Sequence, residues 1–98
     1  MLIKSVVQNE ADRNSKMISE YESLISELPK GSLICKKNGY YYLKYRDNGK
    51  VRDDYIGKNE AVVASVRERL ALRKHYTDML SALKQEQTAI LKILEDLT

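Results

Sequence analysis

Apolar residues return at helical intervals along the first third of the chain. From about Asn9 to Leu28 there is no Pro or Gly, and Met17, Tyr21, Leu24 and Leu28 are spaced four, three and four apart, with Ile18 and Ile25 widening the stripe. The pattern predicts an amphipathic helix over 9–28. Pro29 ends it, because proline lacks an amide hydrogen and pushes the preceding residue out of the α region.

The pattern then changes to short runs rich in Tyr, Val, Leu and Ile, punctuated by Asn38-Gly39 and Asn48-Gly49. Asn-Gly between such runs signals tight hairpins, which gives three antiparallel strands, roughly 32–36, 40–46 and 50–57. Two-residue loops and three-residue loops with a glycine bulge both fit the turns, and the loop length decides which residues share a face. Three-residue loops are the preferred reading because they gather Leu33, Cys35, Tyr41, Leu43, Tyr45, Val51 and Tyr55 on one core face, marred only by Asp53. The other face then carries Ile34, Lys36, Tyr40, Tyr42, Lys44, Arg46, Lys50, Arg52, Asp54 and Ile56.

Beyond Gly57, Asn59 suits an N-cap and Glu60 the positive end of a helix dipole, and no Pro or Gly follows up to Thr98. One helix over 60–97 is predicted. Within it Tyr76, Leu80, Leu83, Gln87, Ile90, Leu94 and Leu97 alternate spacings of four and three, the seam of a coiled coil. Such a helix would be about 55 Å long against about 30 Å for the first one, so its C-terminal half is expected to overhang. A bare seam in water is best explained by a homodimer or higher oligomer, the dimer favoured and Gln87 fixing register, with a fold-back through a break in the helix as the alternative. The fold class is therefore α+β: a helix, a three-stranded antiparallel meander and a long C-terminal helix with a coiled-coil seam, in a single domain over 1–98.

Composition narrows the function classes. The chain has 98 residues, 43% hydrophobic and 32% charged, which is globular rather than disordered. A chain this short buries only about 60–65% of its unfolded surface, which makes added apolar burial from a partner subunit valuable. The single cysteine, Cys35, forms no internal disulfide, so a reducing, cytoplasmic setting is expected. The short apolar patch Leu2-Ile3 with Val6-Val7 has no long apolar core or cleavage site, and no run of about 18 apolar residues occurs, so neither export nor membrane insertion is expected.

Catalytic chemistry is sparse. With one His and one Cys, no zinc site of four such ligands assembles within a chain. His75 falls beside the seam on the long helix, Cys35 on the core face, and the glycines stand singly at strand ends and turns. Asp53 and Asp54 are adjacent in a strand and point apart. No catalytic residue, metal or cofactor is assigned, and a non-enzymatic domain is expected.

What stands out is Lys36, Lys44, Arg46, Lys50 and Arg52 interleaved with Tyr40 and Tyr42. Lysine and arginine displace counterions from phosphates, and tyrosine rings stack on bases. The same residues also suit the solvated side of a half-buried sheet, where cations protect strand edges. The net charge of +3 and pI near 9.0 permit an acidic partner without requiring one.

Leu28-Pro29-Lys30-Gly31-Ser32, Tyr40-Tyr41-Tyr42-Leu43-Lys44-Tyr45-Arg46, Gly49-Lys50 and Tyr55-Ile56-Gly57-Lys58 together resemble a family of small prokaryotic and mobile-element proteins with no assigned function. Some of its members carry cysteine pairs in the first hairpin, which this chain lacks. More loosely, the meander followed by a helix is similar to the arm-type DNA-binding domains of phage integrases. That resemblance implies contact with the DNA major groove through Lys44, Arg46, Lys50 and Arg52, and no catalysis.

The leading expectation is thus a small dimeric nucleic-acid-binding or nucleic-acid-associated protein. The alternatives are a phage- or plasmid-type regulator or inhibitor that docks on a host nucleic-acid enzyme, and a pure oligomerisation module.

Overall fold

The computed structural model describes residues 2–98. Its elements are α1 (Leu2–Ser26), β1 (Ser32–Cys35), β2 (Tyr41–Asp47), β3 (Lys50–Gly57) and α2 (Glu60–Leu97), the α+β architecture and element order read from the sequence. The chain forms two compact units: one runs to Glu27 and resumes with His75–Thr98, and the other is Leu28–Lys74.

The first unit is a pair of helices. α1 begins well before Asn9, because Leu2, Ile3, Val6 and Val7 join the helix instead of preceding it. The longer helix reveals a seam of its own: Val7, Ala11, Asn14, Ile18, Tyr21 and Ile25 alternate four and three apart, and all are buried or half-buried. The Asn14 amide donates to the Leu83 carbonyl at 2.9 Å. One heptad further along α1 and one heptad back along α2, Tyr21 meets Tyr76 edge-on with ring centroids 5.5 Å apart. The helices are therefore antiparallel.

This corrects the expectation of a bare overhang. Tyr76, Leu80, Leu83, Gln87, Ile90, Leu94 and Leu97 are buried or half-buried within the single chain. α1, at 25 residues, is about 37 Å long, which lets it run beside most of that half of α2.

The second unit holds the sheet, in the order β1-β2-β3 with antiparallel neighbours. The first hairpin has the expected three-residue loop. The Lys36 amide donates to the Tyr40 carbonyl at 2.9 Å, the Gly39 amide donates to the Lys36 carbonyl, and Asn38 Oδ1 accepts from the Tyr40 amide.

The second hairpin is tighter than expected. Asp47 pairs with Lys50, leaving Asn48 and Gly49 as a two-residue loop at φ 51° and 81°. Those paired positive values are the mirror-image turn that matches strand twist, and Asn-Gly adopts it most readily. A loop one residue shorter flips every side chain of β3 to the opposite face. A bulge between Tyr41 and Tyr42 then lets Tyr41 pair with Gly57 while Tyr42 pairs with Tyr55.

Leu43 and Val63 are the buried apolar side chains of this unit. Tyr41 lines a groove with Val63, Ala64 and Arg67, which identifies the Leu33, Tyr41, Leu43 and Tyr45 side of the sheet as the one that meets α2. Cys35 shares that side but lies exposed on an edge strand, so the expectation that it packs in the core is corrected. Gly31 has φ +112°, and a Cβ there would collide with the Lys44 carbonyl oxygen, so glycine is required. Arg73 donates from its guanidinium to the Leu28 carbonyl at 2.7 Å and ties the Pro29 segment to α2. At the start of α2, Asn59 Oδ1 accepts from the Ala61 and Val62 amides, the predicted N-cap.

Candidate nucleic-acid interface

The sheet face turned away from α2 carries Ile34, Lys36, Tyr40, Tyr42, Lys44 and Arg46, as the sequence suggests. To these the second hairpin adds Val51, Asp53 and Tyr55, because Arg46 pairs with Val51, Lys44 with Asp53 and Tyr42 with Tyr55. Lys50 and Arg52 move to the other face with Asp47 and Asp54. Their placement beside Lys44 and Arg46 is corrected, and so is that of Val51 and Tyr55 in the core.

The exchange changes the chemistry of both faces. On the far side Arg52 Nε lies 3.1 Å from Asp47 Oδ2, so its charge is already answered. Hydrogen bonding to the nearby Asp54 carboxylate, with desolvation and the negative charge of Asp54 behind it, holds the Tyr45 phenol above its ordinary value of 10.0. The open face loses Asp54 and Ile56 and keeps one carboxylate, Asp53, among the cations Lys36, Lys44, Arg46 and Lys58.

Three tyrosine rings form the centre of this face. Tyr55 stands 5.5 Å from Tyr42, nearly perpendicular at 69°, and 5.8 Å from Tyr40 at 41°. Rings in edge-on contact across strands stabilise the pairing by about 0.2–1 kcal/mol, so the cluster also rigidifies the hairpin. Lys36 Nζ sits 4.1 Å above the Tyr42 ring and 3.5 Å from Asp53 Oδ2. Lys58 Nζ sits 4.8 Å above the Tyr40 ring. Among the described residues no cation sits over Tyr55, which is 61% exposed, and Val51 on the same strand is 54% exposed.

Tyr55, Val51 and Lys58 are thus members of the face that sequence reasoning missed. The Asn48-Gly49 turn was the signal that could have placed the first two. Nothing in the spacing pointed to Lys58, which reaches Tyr40 from beyond the end of β3. The seam residues assigned to an oligomer interface are buried or half-buried in the single chain, with Tyr76 and Leu83 in contact with α1. His75 is exposed beside Tyr76, with ring centroids 6.0 Å apart. Among the described residues no cluster of three or more His, Cys, Asp or Glu is placed to hold a metal ion, and no helix is long and apolar enough to cross a membrane.

Residues 7–68 match a family described as a domain of unknown function (DUF6788), a span that covers more than half of the chain. The chain belongs to the DUF6788 family. The matched DUF6788 span takes in most of α1, the whole sheet and the first turns of α2, and so contains every residue of the open face. No curated protein and no solved structure matches the chain.

Proposed function

We propose that this DUF6788 domain is a non-enzymatic nucleic-acid-binding domain of the cytoplasm, with the open face of the meander as its contact surface. The observation that carries the proposal is the Tyr40, Tyr42 and Tyr55 cluster on a solvent-open sheet face, among four cations and a single carboxylate. Cations there displace counterions from a phosphate backbone, and exposed rings supply stacking. The resemblance to arm-type DNA-binding domains supports the same face, through Lys44 and Arg46 alone of the four residues it first suggested. Lys50 and Arg52, at the tip of the second hairpin, become peripheral contacts. The test is salt-dependent binding that Arg46→Glu weakens.

Exposed Val51 favours a second reading, in which the face docks on a protein as a regulator or inhibitor of a nucleic-acid enzyme. Tyrosine and arginine are the residues most enriched at the centre of protein interfaces. That reading predicts binding to a protein surface that covers Val51 and the tyrosine rings, and no binding to free nucleic acid.

Self-association belongs to the proposal in altered form. α1 takes the seam of α2, while Leu2 and Ile3 of α1 and Leu91 and Ile93 of α2 are exposed on the outer sides of the helix pair. Ile18 and Leu83 are the buried apolar side chains of that unit. A second copy over the exposed residues would add the apolar burial that so small a unit lacks.

A further inference from the structure

We infer that the open face takes unpaired nucleotides, with one base stacked on Tyr55 and the flanking phosphates held by Lys44 and Arg46. The inference rests on the nucleic-acid reading and specifies the ligand of that site.

Three features of the face select a single strand over a duplex. The first is the division of labour among the cations. Lys36 is withdrawn over the Tyr42 ring and toward Asp53, and Lys58 over the Tyr40 ring. That leaves Lys44 and Arg46, both exposed, to extend from the face toward phosphates. Duplex binders anchor by neutralising many phosphates at once, and two extended cations are too few for that mode.

The second is which ring is open. Lys36 covers a face of Tyr42 and Lys58 a face of Tyr40, whereas Tyr55 has both rings at its side and its own surface 61% exposed. A ring fixed by its neighbours and largely open to solvent is a ready platform for a base, and a base reaches it only when it is not paired and stacked in a duplex.

The third is the apolar surface beside it. Val51 lies on the same face of β3 as Tyr55 and is 54% exposed. Duplex phosphates gain nothing from such a surface, while the sugar or base next to a stacked one covers it.

The test uses the full chain and a labelled oligonucleotide of mixed sequence, single-stranded and annealed to its complement, with anisotropy titrations at low salt. Tyrosine fluorescence provides a second readout, since the chain has no tryptophan and a stacked base quenches the ring it covers. The expected result is at least ten-fold tighter binding of the single strand. Tyr55→Ala should weaken it about ten-fold and remove most of the quenching, while Tyr55→Phe keeps affinity within about two-fold. Far-UV circular dichroism of Tyr55→Ala checks that the exposed substitution leaves the fold intact. Equal or tighter duplex binding, or a Tyr55→Ala variant that binds the single strand as the parent does, would overturn the inference and leave the broader reading standing. No binding to either form would overturn both.

Discussion

Asn14 offers the sharpest test of the helix pair. It is 2% exposed, its amide donates to the Leu83 carbonyl at 2.9 Å, and its own carbonyl oxygen, Oδ1, is buried with no partner among the described residues. Asn14→Leu removes the donated bond, a net loss of about 1 kcal/mol. The Leu83 carbonyl lies mid-helix and still accepts from within α2. The same change removes a buried unsatisfied oxygen, which costs about 1–3 kcal/mol where it stands. The balance predicts a variant that is neutral or more stable by about 1 kcal/mol. Asn14→Asp should act oppositely: it loses the donor, faces the Leu83 carbonyl with a carboxylate and buries a charge with no partner, for a cost of about 3 kcal/mol or more. Urea unfolding followed by helical circular dichroism measures both. The reasoning fails if Asn14→Leu destabilises by more than about 1 kcal/mol, since the oxygen would then have a partner in solution. A neutral Asn14→Asp would mean that α1 does not lie on α2 as described.

Two further predictions follow from the same structure. Because the Asp54 carboxylate favours the neutral Tyr45 phenol, the resulting stability is complete below the ordinary tyrosine value and disappears as pH rises through the raised one. Asp54→Asn should shift one of the seven tyrosines to ionise at lower pH in a spectrophotometric titration, and an unchanged titration curve would contradict the influence of Asp54 on Tyr45. For self-association, light-scattering chromatography should find a dimer that Ile93→Lys converts to monomer; a parent protein that is monomeric at high concentration would remove the dimer from the account.

Much of the architecture was legible because its determinants are local. Pro29, the N-cap Asn59 and the uninterrupted four-three spacing of α2 each act within a turn or two of chain. The parity of β3 was not, because the same dipeptide serves two different loops. Asn48 itself enters the left-handed region at φ 51° and closes a two-residue turn. Asn38 instead uses its side chain to accept from the Tyr40 amide within a three-residue loop. One residue of difference decided whether Tyr55 and Val51 faced the core or solvent, and with them the composition of the candidate site. The partner of the α2 seam was hidden for another reason. Starting α1 at Asn9 concealed the phase of Val7, Ala11, Asn14 and Ile18, and a buried asparagine breaks the apolar signal where the two helices touch. Lys58 could be placed on the open face only by tertiary structure.

The central claim is that the open face binds nucleic acid through its cations and rings. Anisotropy titration of a short labelled oligonucleotide, as a single strand and as a duplex, repeated at rising salt with the parent chain and with Arg46→Glu, tests it most directly. The account predicts binding that weakens steadily as salt rises, an affinity about ten-fold lower in Arg46→Glu, and a shallower salt slope in that variant. Absence of binding to either form at low salt, or binding that neither salt nor Arg46→Glu alters, would contradict it.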